Sequence, residues 1–201
     1  MPDGVLILRP SAAGDLTRLL GYPGGEHFPL VAQDSYNDLR FVYYAKVGGS
    51  FDQSELYRWP MPHPRLGTIT YIQHFATAKR DAYSTAYSLL RIGSTDYSEA
   101  WPLFGGGIEQ ASVTYAVDPS TGLAWQWSDL VPTRTQFGIR LTAVQIGSGQ
   151  GEVILDPVGG GGEPGTYADI RCYQTWLAVG YWSDDAVGAI PVRRSLGGLL
   201  T

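Results

Sequence analysis

The stretch from Val113 to Arg140, VTYAVDPSTGLAWQWSDLVPTRTQFGIR, constrains the fold of this chain more than any other segment. A strand-like alternation runs into Asp118-Pro119-Ser120-Thr121-Gly122, a run of turn formers. Asp and Ser side chains bond nearby backbone, proline presets its φ and glycine accepts positive φ, so the chain reverses here. The tryptophan pair Trp125 and Trp127 comes next, and a strand pattern resumes at Phe137-Gly138-Ile139-Arg140. Strand, turn, aromatic anchor and strand in that order describe an antiparallel sheet.

The rest of the chain keeps the same habit. In Gly67–Ala76 (GTITYIQHFA), Thr68, Thr70, Ile72, His74 and Ala76 fall on one face, and Ile69, Tyr71, Gln73 and Phe75 on the other. Further strands are expected at Leu6–Arg9, Leu39–Ala45, Ser54–Trp59, Glu109–Val117, Gly138–Ile146 and Ile170–Trp182. Ala82–Ile92 fits a strand through its Tyr83, Thr85, Tyr87, Leu89 row, with a helix as the alternative. Charged residues make up 16 % of the chain, below the roughly 25 % of an ordinary soluble domain, which suits short strands and tight turns. These features predict an all-β fold: an antiparallel two-sheet β-sandwich, jelly-roll-like, spanning residues 1–182. Residues 183–201 read as a C-terminal arm, and the glycine-dense Gly147–Gly165 as a loop.

Charge and cysteine content narrow the function classes. The net charge is −5 and the one dense basic spot is Arg193-Arg194, whereas nucleic-acid binding needs a clustered positive footprint. A single cysteine, Cys172, excludes an intrachain disulfide. The start, Met1-Pro2-Asp3-Gly4, lacks the basic region of a signal peptide, and no apolar run approaches the roughly 20 residues of a bilayer crossing. Synthesis in a cytoplasm, with no membrane or direct nucleic-acid partner, is the expectation.

Chemistry is harder to find. His27, His63 and His74 lack the short spacing of a metal site. Glu99 and Glu109 are the candidates for a paired-carboxylate glycosidase site, an enzymatic reading that two isolated glutamates do not establish. Gly159–Gly162 lacks the Lys-Ser/Thr and helix of a phosphate loop. Asp118, Asp184 and Asp185 offer too few oxygens for calcium. The expectation is therefore no catalytic residue, no metal and no cofactor.

The aromatics carry two readings each. Trp125 and Trp127 read as a structural anchor plugging one end of the sandwich, or else as a sugar-stacking platform; Trp101 raises the same question as a glycan-binding candidate. In the closing strand, strict alternation puts Tyr173, Leu177, Val179 and Tyr181 on one face and Cys172, Trp176, Ala178 and Trp182 on the other. A strand apolar on both faces is covered on both, by its own chain or by a neighbouring subunit. Cys172, Trp176 and Trp182, with Ile190, Val192, Leu196, Leu199 and Leu200 of the arm, are the candidate oligomer interface.

Several segments together resemble a known group: LRPSAAGDLTRL, the pair around FVYYA and ELYRWP, RIGSTDYSEAW, AVDPSTGLAWQWSDL and IRCYQTWLAVGYW. The turn, tryptophan pair and later FGI are similar to the "NP-x-TG-x-AWTW … FGI" string of phage and prophage virion proteins. Over roughly Ile7 to Trp182 the chain resembles tailed-phage accessory structural proteins with a single β-sandwich, the decoration, head-fibre or tail-associated kind. Gly147–Gly165 and the chain after Trp182 extend beyond that pattern. The resemblance implies a non-enzymatic virion protein with major capsid or tail proteins as partners. The two apolar faces of Ile170–Trp182 together with the low charge predict a homo-oligomer of trimer size or larger. Two alternatives stay open, a carbohydrate-binding module for host-surface glycans and a self-assembling filament subunit.

Overall fold

A computed structural model describes residues 2–35, 37, 39–47, 51–60, 67–80, 84–103, 107–143 and 167–183. The elements are β1 (Gly4–Leu8), β2 (Ala12–Thr17), β3 (Leu20–Tyr22), α1 (Phe28–Val31), β4 (Phe41–Val47), β5 (Phe51–Arg58), β6 (Thr68–Arg80), β7 (Ser84–Ile92), β8 (Thr95–Ala100), β9 (Ile108–Tyr115), a 3-10 turn at Trp127–Leu130, β10 (Thr135–Ala143) and β11 (Tyr167–Trp182).

Two antiparallel sheets form. One runs β3-β4-β11-β6-β9 with β1 added alongside β11; the other runs β2-β5-β10-β7-β8. The partners nest about the β7–β8 turn: β7 beside β8, β6 beside β9, β5 beside β10, β4 beside β11. The chain thus behaves as one long hairpin with its tip at Gly93 (φ 60°), rolled so that alternate strand pairs fall in opposite sheets. That nesting is a jelly roll, as the sequence pattern predicts. β7 is a strand, and the helical alternative for that stretch does not hold.

Inward-facing residues of the two sheets make one core, including Val42, Tyr57, Trp59, Ile72, Leu90, Ile139, Leu141, Ile170, Leu177 and Val179. The sheets meet directly, with the His74 ring of β6 5.6 Å from Phe137 of β10. Burial of this apolar surface is the main force holding the layers together. At Gly138 the backbones approach so closely that an added Cβ would lie 1.9 Å from the Glu55 carbonyl oxygen.

β4 pairs with Tyr167–Cys172 of β11 and β1 with Leu177–Tyr181, so residues 173–176 have neither as a neighbour. The α1 segment packs at this notch against β11 and β4. The Gln174 amide donates to the Gln33 carbonyl at 3.0 Å and fastens it there.

One expectation from strict alternation needs correction. Cys172 pairs with Ala78 while Gln174 pairs with Thr77, so Tyr173 is an extra residue in β11. A bulge of this kind reverses the in–out assignment of the residues after it. Cys172 consequently points into the core with Leu177 and Val179, and does not share a face with Trp176.

Candidate functional site

The buried polar groups come first, because an enzyme's chemistry would show there as poised, perturbed side chains. His74 sits on β6 between the sheets and is fully buried. One ring nitrogen, Nδ1, lies 2.7 Å from Ser88 Oγ, and the other, Nε2, 2.7 Å from Thr175 Oγ1. Ser88 Oγ is also 2.8 Å from Tyr115 Oη. Burial lowers the His74 pKa to about 3 and raises that of Tyr115 to about 12. Trp59, Trp101 and Phe137 rings enclose the imidazole. A neutral histidine bonded on both sides and walled by aromatics ties three strands together.

A second cluster lies where the chain crosses from β2 to β3. Glu55 projects inward from β5, 1 % exposed, and its Oε2 is 2.8 Å from His27 Nδ1 at the start of α1. Desolvation raises the Glu55 pKa, a shift that His27 opposes. Burial also raises Tyr57 and Cys172 nearby, with the Glu55 charge adding to both. Sequence reading passes over this pair, although Glu55 shares a period-two face with Tyr57 and Trp59, which is the signal for an inward carboxylate.

The third cluster builds the turn after β9. Asp118 Oδ1 accepts from the Ser120 amide at 2.7 Å and from its hydroxyl at 2.6 Å, while Oδ2 accepts from Arg134 at 3.0 Å. Arg134 also pairs with Asp129, whose Oδ2 accepts from the Gln126 amide at 2.8 Å. Asp118 is thus committed to the turn; Asp184, Asp185 and His63 lie outside the described residues. Glu99 and Glu109 sit on β8 and β9, strands of different sheets.

The anchor residues behave as the turn geometry requires. Trp125 is buried and donates from its indole nitrogen to the Tyr115 carbonyl at 3.1 Å. Trp127 is half-buried, donates to the Gly67 carbonyl and meets Tyr181 edge-on. Trp101 is buried and donates to the His74 carbonyl, so its ring has no face free for a sugar.

The outward faces of the two sheets differ. On the six-stranded sheet, Trp176 stacks parallel on Phe75 at 5.0 Å, and the Arg9 guanidinium covers it at 5.0 Å. Further along, Tyr22, Tyr43 and Tyr173 pack around Phe41 beneath Arg171. The chain's own side chains therefore cover much of the outer side of β11. Past that cover the apolar groups emerge: Val5 is 51 % exposed, Ile7 50 % and Trp182 45 %. Ile7 is opposite Ala178 and Val5 opposite Gly180, which puts them on the same face as Trp182. On the five-stranded sheet the outward side chains are Arg140, Asp52, Arg91 and Asp96, paired in bidentate fashion. Of the interface candidates, Trp182 is on the apolar face, Trp176 is under Arg9, and Ile190, Val192, Leu196, Leu199 and Leu200 lie outside the described residues.

Among the described residues no helix is long and apolar enough to cross a membrane, which leaves β-strand crossing unaddressed. No protein-family model matches the sequence, and no curated protein matches it either.

Proposed function

We propose that this protein is a non-enzymatic structural subunit of a virion, of the tailed-phage accessory type, which assembles with copies of itself through the outer face of β1 and β11. The observation that carries the reading is the apolar strip Val5, Ile7 and Trp182 on one sheet, opposite a face of paired charges on the other. Scattered exposed apolar residues are ordinary, but a contiguous row on one sheet face marks an interaction surface. The core titratable groups described above are bonded into the framework, as in a protein whose work is mechanical. The jelly roll recurs in capsid and lectin domains, an analogy at the level of fold. The tailed-phage assignment rests on the resemblance of the DPSTGLAWQW string and its flanking strands.

Light scattering on the purified chain tests the assembly. A trimer or larger species is expected, and a clean 21.9 kDa species at micromolar concentration overturns it. Mass spectrometry of density-purified particles from the encoding strain tests the virion assignment. The chain should band with capsid and tail proteins, and its absence from the particles overturns that assignment whatever its oligomeric state.

A further inference from the structure

We propose that the outer face of the five-stranded sheet is a binding groove for a neutral glycan, which it holds by its hydroxyls between two preset arginine–aspartate forks. This site lies on the sheet opposite the assembly face and does not depend on that reading.

The groove exists because β2 leaves its ladder. Ala13 pairs with Tyr57, but the register then shifts before Thr17 meets Glu55. Gly14 passes so close that a Cβ there would lie 2.6 Å from the Leu56 backbone and from the Gln136 side chain. The Gln136 oxygen accepts from the Asp15 amide at 2.9 Å and holds the excursion down. Leu16 and Arg18 thus form a wall, β8 forms the other side, and Leu89 lies on the floor. The groove is open to solvent and holds about 480 Å³, within the roughly 300–1,000 Å³ of small-ligand sites.

The polar groups are fixed before any ligand arrives. Arg91 on β7 is directly opposite Asp96 on β8, with bonds of 2.6 and 2.7 Å. Arg140 on β10 grips Asp52 of β5 at 2.8 and 2.5 Å, lies over the Tyr87 ring and reaches Ser98 at 3.4 Å. Planar forks on neighbouring strands have little rotamer freedom left to lose on binding.

Charge balance selects the ligand class. Each fork neutralises itself, which leaves Arg18, exposed to solvent, as the one net charge of the lining among the described residues, and solvent screens a single exposed charge. Directional hydrogen bonding remains. A carboxylate gripped by arginine keeps spare lone pairs, and a guanidinium has five N–H donors, of which a fork uses two. Alternating donors and acceptors suit hydroxyls, which both give and take a proton. Leu16 adds an apolar contact for a sugar's C–H face.

Saturation-transfer NMR with neutral tetra- to hexasaccharides of glucose, mannose and galactose tests the site, with Arg140→Gln/Asp52→Asn as the variant. Transfer to at least one oligosaccharide is expected, weakened about tenfold or more in the variant. Exposed ion pairs add little stability, so the melting temperature should hold. A fold-intact Arg91→Gln provides the same readout if the double variant does not fold. No transfer from any oligosaccharide overturns the proposal. So does unchanged affinity in the variants, or displacement of the sugar by inorganic phosphate, which would indicate an anion site.

Discussion

At the residue scale, two buried ionisable groups pull stability in opposite directions with pH. His74 has a folded pKa of about 3 against an ordinary 6.5, so the unfolded chain binds the extra proton between those values. Its contribution is complete above pH 6.5 and drains away as pH falls toward 3, by up to a few kcal/mol. Glu55 has a raised folded pKa, so the folded state binds the extra proton, and stability falls as pH rises through that value. The larger His74 shift should dominate, and urea melts should show weakening below pH 6. His74→Gln should flatten that acid loss while costing stability at pH 7; an unchanged acid limb would show that His74 is not its source. Glu55→Gln should gain stability at pH 7.5 relative to pH 4.5. A loss at pH 7.5 would mean that the His27 contact outweighs desolvation. The Ile72, His74, Ala76 part of the face was legible from the alternation of GTITYIQHFA, but a register shift at Thr70 puts Ile69, not Thr68, in the core. The partners Ser88 and Thr175 were not legible, because sequence does not show which strands lie opposite His74.

At the element scale, legibility tracked local chemistry. The turn at Asp118–Gly122 was readable because its bonds are local: the Asp118 carbonyl accepts from the Gly122 amide at 2.8 Å, and Gly122 has φ 72°. The β11 faces were misread because a bulge is set by pairing with β6, which period-two counting does not see. The α1 segment and the β2 excursion were missed for the same reason, since each is held by contacts across the fold. Two substitutions test the element geometry. Trp125→Ala empties a fully enclosed site and loses the bond to Tyr115, so it should cost about 3–5 kcal/mol. Trp127→Ala, at a half-buried ring, should cost less; equal losses would refute the distinction. Gly138→Ala drives a methyl into the β5 backbone. It should cost at least the roughly 1–3 kcal/mol of an overpacked core, seen as a lower denaturation midpoint, whereas wild-type stability would show that the strands can part there.

At the scale of the whole molecule, the two sheets have outward faces of different character, and this directs how copies would meet. The charged face offers exposed ion pairs, which keep their water at little cost, while Val5, Ile7 and Trp182 gain by leaving water. The chain beyond Ser183 starts beside that strip, since the Ser183 amide donates to Asp3 Oδ2 at 3.2 Å. Among the described residues the core cluster closes with residues no later than Val179. Ile7→Lys should therefore leave the melting temperature nearly unchanged and shift light scattering toward monomer, because a charge cannot be buried unpaired in an apolar contact. Deleting residues 184–201, with its Ile190, Val192 and Leu196–Leu200 run, should likewise spare the melt and weaken assembly, as expected of an arm that adds to a neighbour. A large drop in melting temperature on deletion would instead make the arm part of its own core. Full assembly in both variants would remove the β1–β11 face as the contact and turn attention to β8 and β9, the outermost strands on one side of the two sheets among the described residues.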